Sequence, residues 1–180
     1  MRTARFVVAA VLASAATMIL PLAQPAGATP RSSTVTAPVT CVVDGISVPA
    51  SLELTVLAPA SAAVGHPYRV SFTVAVPAFS PTPRDIFSLT QDSTWDLEGN
   101  VSPSSTHQLV QGPQDYPSGS TVVAETFTHR VTPTGSSGDL ISYVFDSFSY
   151  TFQDLPAGPT ITGVCTLDGG PATVASTIVR

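Results

Sequence analysis

The segment Tyr68-Arg-Val-Ser-Phe-Thr-Val-Ala-Val76 decides the fold. Tyr68, Val70, Phe72, Val74 and Val76 alternate with Arg69, Ser71, Thr73 and Ala75. Successive side chains of a strand point to opposite faces, so this pattern describes a β-strand with one buried and one solvated side. Immediately upstream, Leu52, Leu54 and Val56 alternate with Ser51, Glu53 and Thr55 in the same way. Ile86–Leu89, Gln108–Val110 and Thr121–Val131 are further strand candidates with less regular alternation. Turn-rich stretches at 77–83, 111–119 and 132–138 separate them. Beyond residue 28 no window of ten or more residues follows a helical period. In Ile141–Phe152, Ile141, Tyr143 and Phe145 lie on one face, and Phe148, Tyr150 and Phe152 continue on the other parity. Such a shift at Asp146-Ser147 is what a β-bulge or a crossing between sheets produces. Core filling is the expected role of these aromatics, and a groove lined by Tyr143 and Tyr150 is the alternative.

The N-terminus reads as an export signal. Arg2 and Arg5 precede an uninterrupted apolar run from Phe6 to Leu20, Pro21 closes it, and Ala26-Gly27-Ala28 supplies a small-x-small cleavage pattern before Thr29. As a helix the run rises only about 23 Å, short of the ~30 Å hydrocarbon core. Residues 1–28 are therefore read as a signal peptide that leaves no stable membrane anchor. Residues 29–38 are read as a flexible polar tail, and 39–180 as a single β-sandwich domain. The expected location is extracellular or cell-wall associated.

Charged residues make up 11% of the chain against a usual value of about 25%, and hydrophobic residues reach 43%. That composition excludes charge-driven disorder. The seven basic residues are all Arg. Without a single Lys, Schiff-base chemistry, pyridoxal attachment and a P-loop are excluded. Residues 29–180 keep five Arg and twelve acids, a net charge of −7. A chain so acidic, with no basic cluster, is not expected to bind nucleic acid or anionic lipid.

Cys41 and Cys165 are the two cysteines, and in an oxidising compartment a disulfide between them is the simple expectation, tying the first strand to the last. Two buried thiols or a metal pair are the alternatives, although no His or further Cys lies at zinc-ligand spacing. Both cysteines sit in a Cys-x-aliphatic-Asp-Gly context, Cys41–Gly45 and Cys165–Gly169. Asp-Gly between apolar runs signals a type I′ hairpin, so two neighbouring hairpins joined by sulfur are expected.

Catalytic signatures are absent. There is no Gly-x-Ser-x-Gly elbow, since Gly135-Ser-Ser-Gly138 is one residue too short, and no His-Glu-x-x-His, Cys-x-x-Cys or dinucleotide glycine pattern. His66, His107 and His129 are dispersed. The richest polar cluster is Gln91–Asn100, which reads as a loop. Within it Asp92, Asp96 and Glu98 are candidate calcium ligands, and Asp96 with Glu98 is a weaker candidate for a glycosidase carboxylate pair. Trp95, the one tryptophan, is either a binding anchor among these acids or a plug at one end of the core. The segment Pro77–Arg84 is the candidate loop for a protein inhibitor.

The stretch Val48–Phe72, with its Pro59-Ala-Ser-Ala-Ala-Val-Gly65 approach to the second alternating strand, together with Cys41 and the closing Cys165, resembles secreted actinobacterial domains of immunoglobulin-like β-sandwich type. That family has no assigned activity, so the resemblance implies a fold and no catalytic residues. The expected architecture is thus an all-β, immunoglobulin-like β-sandwich with N- and C-terminal strands linked by one disulfide. The expected function is a secreted, non-catalytic binding or structural module at or near the bacterial cell envelope, with a cell-wall component or another secreted protein as partner. A secreted hydrolase with dispersed Asp, Glu and His, or a small protein inhibitor, is the alternative.

Overall fold

A computed structural model describes residues 29–77, 82, 84–112, 115–122, 124 and 126–180. The expected signal peptide lies outside them. The described chain is all-β, with eleven strands: β1 Pro30–Val43, β2 Ile46–Pro59, β3 Ser61–Ala62, β4 Tyr68–Ala75, β5 Ser88–Glu98, β6 Val101–Ser102, β7 Ser105–Gln111, β8 Thr126–Pro133, β9 Leu140–Gln153, β10 Thr160–Leu167 and β11 Ala172–Val179. They join into one continuous sheet in the order β3-β11-β9-β10-β1-β2-β4-β8-β6, with β5 along the other edge of β9 and β7 beyond β5.

The sheet begins with a 14-residue hairpin. β1 and β2 pair without interruption from Pro30↔Pro59 to Val43↔Ile46. Asp44 and Gly45 close it with φ of 49° and 79°, the positive values a type I′ turn requires. Residues 30–38 of the expected flexible tail 29–38 are therefore strand. Val35 and Ala37 face inward while Thr34 and Thr36 face water, so the alternation starts well before Cys41. Pro38 lacks an N–H, and it sits just before the β10 pairing begins at Val39, where no ladder donor is needed.

Cys41 and Cys165 are direct partners in the β1–β10 ladder and form the disulfide. The bond ties β1 to the penultimate strand, since β11 follows. The second Asp-Gly departs from expectation. β11 does not pair with β10 but with β9, and Gly170, not Asp168, takes the positive φ. Asp168 instead braces β1: its carboxylate accepts from the Thr40 hydroxyl at 2.8 Å and its N–H donates to the Pro38 carbonyl.

β9 is the strand on which the sheet turns. Residues 140–145 pair with β11, and residues 148–153 pair with β10 along the same edge. Against β5, Thr94 opposes Ser147 while Trp95 opposes Phe145, so Asp146 is the extra residue of a bulge. The parity shift legible in the sequence is thus both a bulge and a change of partner. At Gly163, the residue opposite Tyr150, the tyrosine ring lies where a Cβ would stand, so only glycine fits.

The arm β5–β9–β11 faces the arm β2–β4–β8 across a common core of Leu52, Leu54, Val56, Val70, Phe72, Trp95, Leu97, Tyr143, Phe145 and their neighbours. Phe72 of β4 packs on Trp95 at 4.8 Å and edge-on to Tyr143 at 6.0 Å, and Trp95 packs edge-on to Phe145 at 5.1 Å. One polar chain crosses this core. The Thr177 hydroxyl donates to the Pro59 carbonyl at 2.7 Å and must therefore accept from Tyr143 at 2.8 Å. The Tyr143 proton is then used, so Tyr68 donates to Tyr143 at 2.7 Å. Each hydroxyl has a partner, which removes most of the cost of burying it.

Burial raises both phenols of this chain above the ordinary tyrosine value of 10.0, Tyr143 far more than Tyr68. Above pH 10 the unfolded chain loses protons that the folded one keeps, so stability falls as pH rises from there toward the folded values. In an alkaline titration followed at 295 nm, the folded protein is expected to leave part of its tyrosine absorbance unionised at pH 11 and to release it on unfolding. Complete ionisation of a still-folded protein at pH 11 would contradict the buried chain. For the disulfide, closing a loop of 124 residues is worth roughly 4–5 kcal/mol in the loop-entropy picture. The Cys41→Ala, Cys165→Ala double variant is expected to melt about 10 °C lower by calorimetry.

Candidate binding surface

Gln91–Asn100 is not a loop. Residues 88–98 form β5, paired on both edges, with β7 on one side and β9 on the other. Period two then separates the expected constellation. Trp95 points into the core with 0% of its surface exposed, while Asp96 and Glu98 point to water and Asp92 is half-buried on that same outer side. An anchor formed by Trp95 among carboxylates is excluded, and Trp95 is the core residue of the alternative reading. Among the described residues no three His, Cys, Asp or Glu side chains come together as a cation site, so the candidate calcium ligands Asp92, Asp96 and Glu98 are not brought together as one.

The other sequence candidates also resolve. Tyr143 is sealed in the core. Tyr150 lines a small apolar cavity of about 250 Å³ with Val43, Val76, Ile86 and Phe152, and Arg84 stands at its wall, 5.5 Å over the Phe152 ring and paired to Asp154 at 2.8 Å. Asn100 donates its amide to Asp139 at 2.9 Å. The Ser136 N–H, with help from this amide, holds the Asp139 carboxyl below its usual range. The segment Pro77–Arg84 lies for the most part outside the described residues.

Two histidines have defined surroundings. His107 places Nε2 2.6 Å from Asp92 Oδ1, a cross-strand diagonal on the open outer face of β5 and β7. Asp–His is an orienting pair for a general base, but no hydroxyl or thiol among the described residues hydrogen-bonds His107. His129 lies against Phe72 and Phe127, and burial lowers its pKa below 6.5.

A surface that sequence reasoning missed is the outer side of β1-β2-β4-β8. Thr34, Thr55, Thr73 and Thr126 stand in one transverse row, each opposite the next in register. At about 4.8 Å between strands the row spans about 14 Å. The adjoining row holds Ser32, Leu57, Ser71 and Thr128. Hydroxyls pair across strands at 2.9 Å for Thr34–Thr55, 2.8 Å for Thr73–Thr126 and 2.8 Å for Ser71–Thr128. β-branched threonine suits a pleated surface, and cross-strand hydroxyl pairs add roughly 0.2–1 kcal/mol each. Pairing also restrains each side chain, which lowers the ordering cost of any further hydrogen bond made from this face. The signal present in the sequence was the run of Thr and Ser at outward positions. Its assembly into rows needs the register. No protein-family model matches the chain, and no curated protein matches it either.

The two sides of β5 respond differently to truncation. Trp95→Ala removes a ring wedged between Phe72 and Phe145 and is expected to cost about 3–5 kcal/mol. Asp96→Ala and Glu98→Ala are expected to lie within about 0.5 kcal/mol of the parent. Urea unfolding measures both, and a near-neutral Trp95→Ala would contradict the core position.

Proposed function

We propose that this chain is an exported, non-catalytic binding module of immunoglobulin-like type that acts at or near the bacterial cell envelope and engages a wall component or another exported protein there. The observation that carries the reading is the four-strand outer face with its cross-strand pairs of Thr and Ser hydroxyls. Such a face offers many weak hydrogen bonds at fixed spacing and no acid, base or nucleophile in reacting geometry. Export is supported by the charged start, apolar run and small-residue cleavage pattern of residues 1–28, and a disulfide suits an oxidising destination. No described helix is long and apolar enough to cross a membrane. The immunoglobulin-like assignment is supported by two facing arms of antiparallel strands over one aromatic core and by the stretch Val48–Phe72.

A hydrolase reading would rest on Asp92 and His107. Both are open to water, with 40% and 57% of their side chains exposed, and His107 faces no nucleophile among the described residues.

The test is co-sedimentation of residues 29–180 with isolated cell envelope. Thr55→Gln and Thr126→Gln, two outward positions that are not direct neighbours, break both hydroxyl pairs of the row without touching the core. The expected result is at least a tenfold loss of envelope binding with a melting temperature within a few degrees of the parent. Binding that survives both substitutions would remove the face from the reading, and a parent protein that binds no envelope fraction would overturn the function.

A further inference from the structure

We infer that the end of the hydroxyl face is an anion site, at which Arg69 and Arg130 hold an acidic group carried by a carbohydrate polymer. Arg69 of β4 and Arg130 of β8 are direct cross-strand partners, both exposed on the same outer side as the Thr and Ser rows. Two cations directly opposite on neighbouring strands destabilise a sheet. Among the described residues no carboxylate pairs with either one. Glu53, the acid of this face, stands beside Ala75, which is about 20 Å along the strand from Arg69. Folding alone gives no reason to place two of the five arginines of residues 29–180 here, whereas a bound anion does.

The surroundings complete a site. Arg69, Arg130, Pro67, Tyr68, Thr128 and His129 line an open concavity of about 540 Å³. Thr128 belongs to the next hydroxyl row, where it bonds Ser71. A guanidinium presents its N–H groups as a planar fork that matches the two oxygens of a carboxylate, or those of a sulfate or phosphate. Two such forks at one strand spacing can take one acidic group between them. A sugar chain continuing from that group would run over rows of hydroxyls about 7 Å apart. The outward positions of these rows carry no aromatic ring on which a base could stack, and no apolar side chain beyond Leu57 and Ala75 for a bilayer to receive. Carbohydrate is therefore the class that fits. This inference rests on the binding-module reading and names the chemistry of its ligand.

Equilibrium binding to carboxymethyl-dextran, dextran sulfate and neutral dextran of equal length tests it, with poly-glutamate and phosphatidylglycerol vesicles as further arms. The parent is expected to bind at least one charged dextran tenfold or more tightly than neutral dextran, with affinity falling as salt rises. The two charged dextrans distinguish a carboxylate from a sulfate. The Arg69→Gln, Arg130→Gln double variant, altered only at exposed positions, should melt within a few degrees of the parent and bind charged and neutral dextran alike. Equal parent affinity for charged and neutral dextran, or unchanged binding by the double variant, would overturn the anion site. Poly-glutamate or vesicles bound as tightly as the charged dextrans would overturn the carbohydrate assignment. Envelope binding that persists in the double variant removes this inference alone, whereas its absence in the parent removes the broader function and leaves the dextran result standing.

Discussion

Phe72 against Trp95 is the contact on which the rest of the structure depends. β4 and β5 are not ladder neighbours, and they lie on the two arms of the sheet that β10 and β1 connect. Hydrogen bonding gives that sheet its order, but it is non-committal about how the arms fold over. The ring contact at 4.8 Å, continued to Phe145 and Tyr143, sets the distance between the arms. Each large aromatic buries on the order of 150–250 Å², far more than any other contact between the arms can offer. Because Trp95 must face inward for this, Asp96 and Glu98 must face outward. The same contact that builds the core thus dismantles the acidic aromatic site suggested by Gln91–Asn100.

A second constraint follows from burying hydroxyls beside those rings. Tyr68, Tyr143, Thr177 and the Pro59 carbonyl belong to four strands from both arms, β4, β9, β11 and β2. Their proton order is fixed from one end, since the carbonyl accepts only. A mispaired register would leave at least one of these groups unsatisfied in a low-dielectric core at a cost of about 1–3 kcal/mol. Where the aromatic contact sets spacing, this chain sets registration, which apolar packing alone specifies weakly.

How much of this was legible in the sequence depended on how cleanly period two survived. The Tyr68–Val76 alternation, the inward Leu52, Leu54 and Val56, the Asp44-Gly45 turn and the disulfide all follow from local chemistry. So does the bulge at Asp146, because one aromatic run can change parity only where an extra residue is inserted or the strand crosses between sheets. β5 was hidden because Ser93 is an inward residue that is polar, and so the alternation looked like a polar loop. Ser93 can face inward because its hydroxyl donates to the side-chain oxygen of Gln108, its partner on β7, at 3.4 Å. The start of β1 was hidden by its prolines, which read as turn residues unless the β10 pairing is known to begin only at Val39. The second Asp-Gly misled for the opposite reason. Locally it is a hairpin signal, but β1 and β9 occupy the two edges of β10, so β11 pairs with the free stretch of β9 instead. The hydroxyl rows and the Arg69–Arg130 pair were beyond reach of local reading. Alternation says that each of these side chains faces water, and only the pairing of β4 with β8 says which ones meet.

The net charge of −7 in residues 29–180 argues against anion binding only if charge acts as a single sum, and the fold shows why it does not. Asp92, Asp96 and Glu98 occupy the outer side of β5, whereas Arg69 and Arg130 occupy the outer side of the opposite arm. Facing layers stand about 10 Å apart, so the two outer surfaces are separated by more than that distance. In salt of physiological strength the screening length is about 8 Å. The acids across the molecule therefore contribute little to the potential at the arginine pair, while a carboxylate seated between the two guanidiniums feels both at contact distance. Net charge governs solubility and long-range approach to other polyanions. Recognition at short range is set by which charges the register places side by side, and in this protein the register places the two arginines together at one end of a face whose acid, Glu53, stands about 20 Å away along the strands.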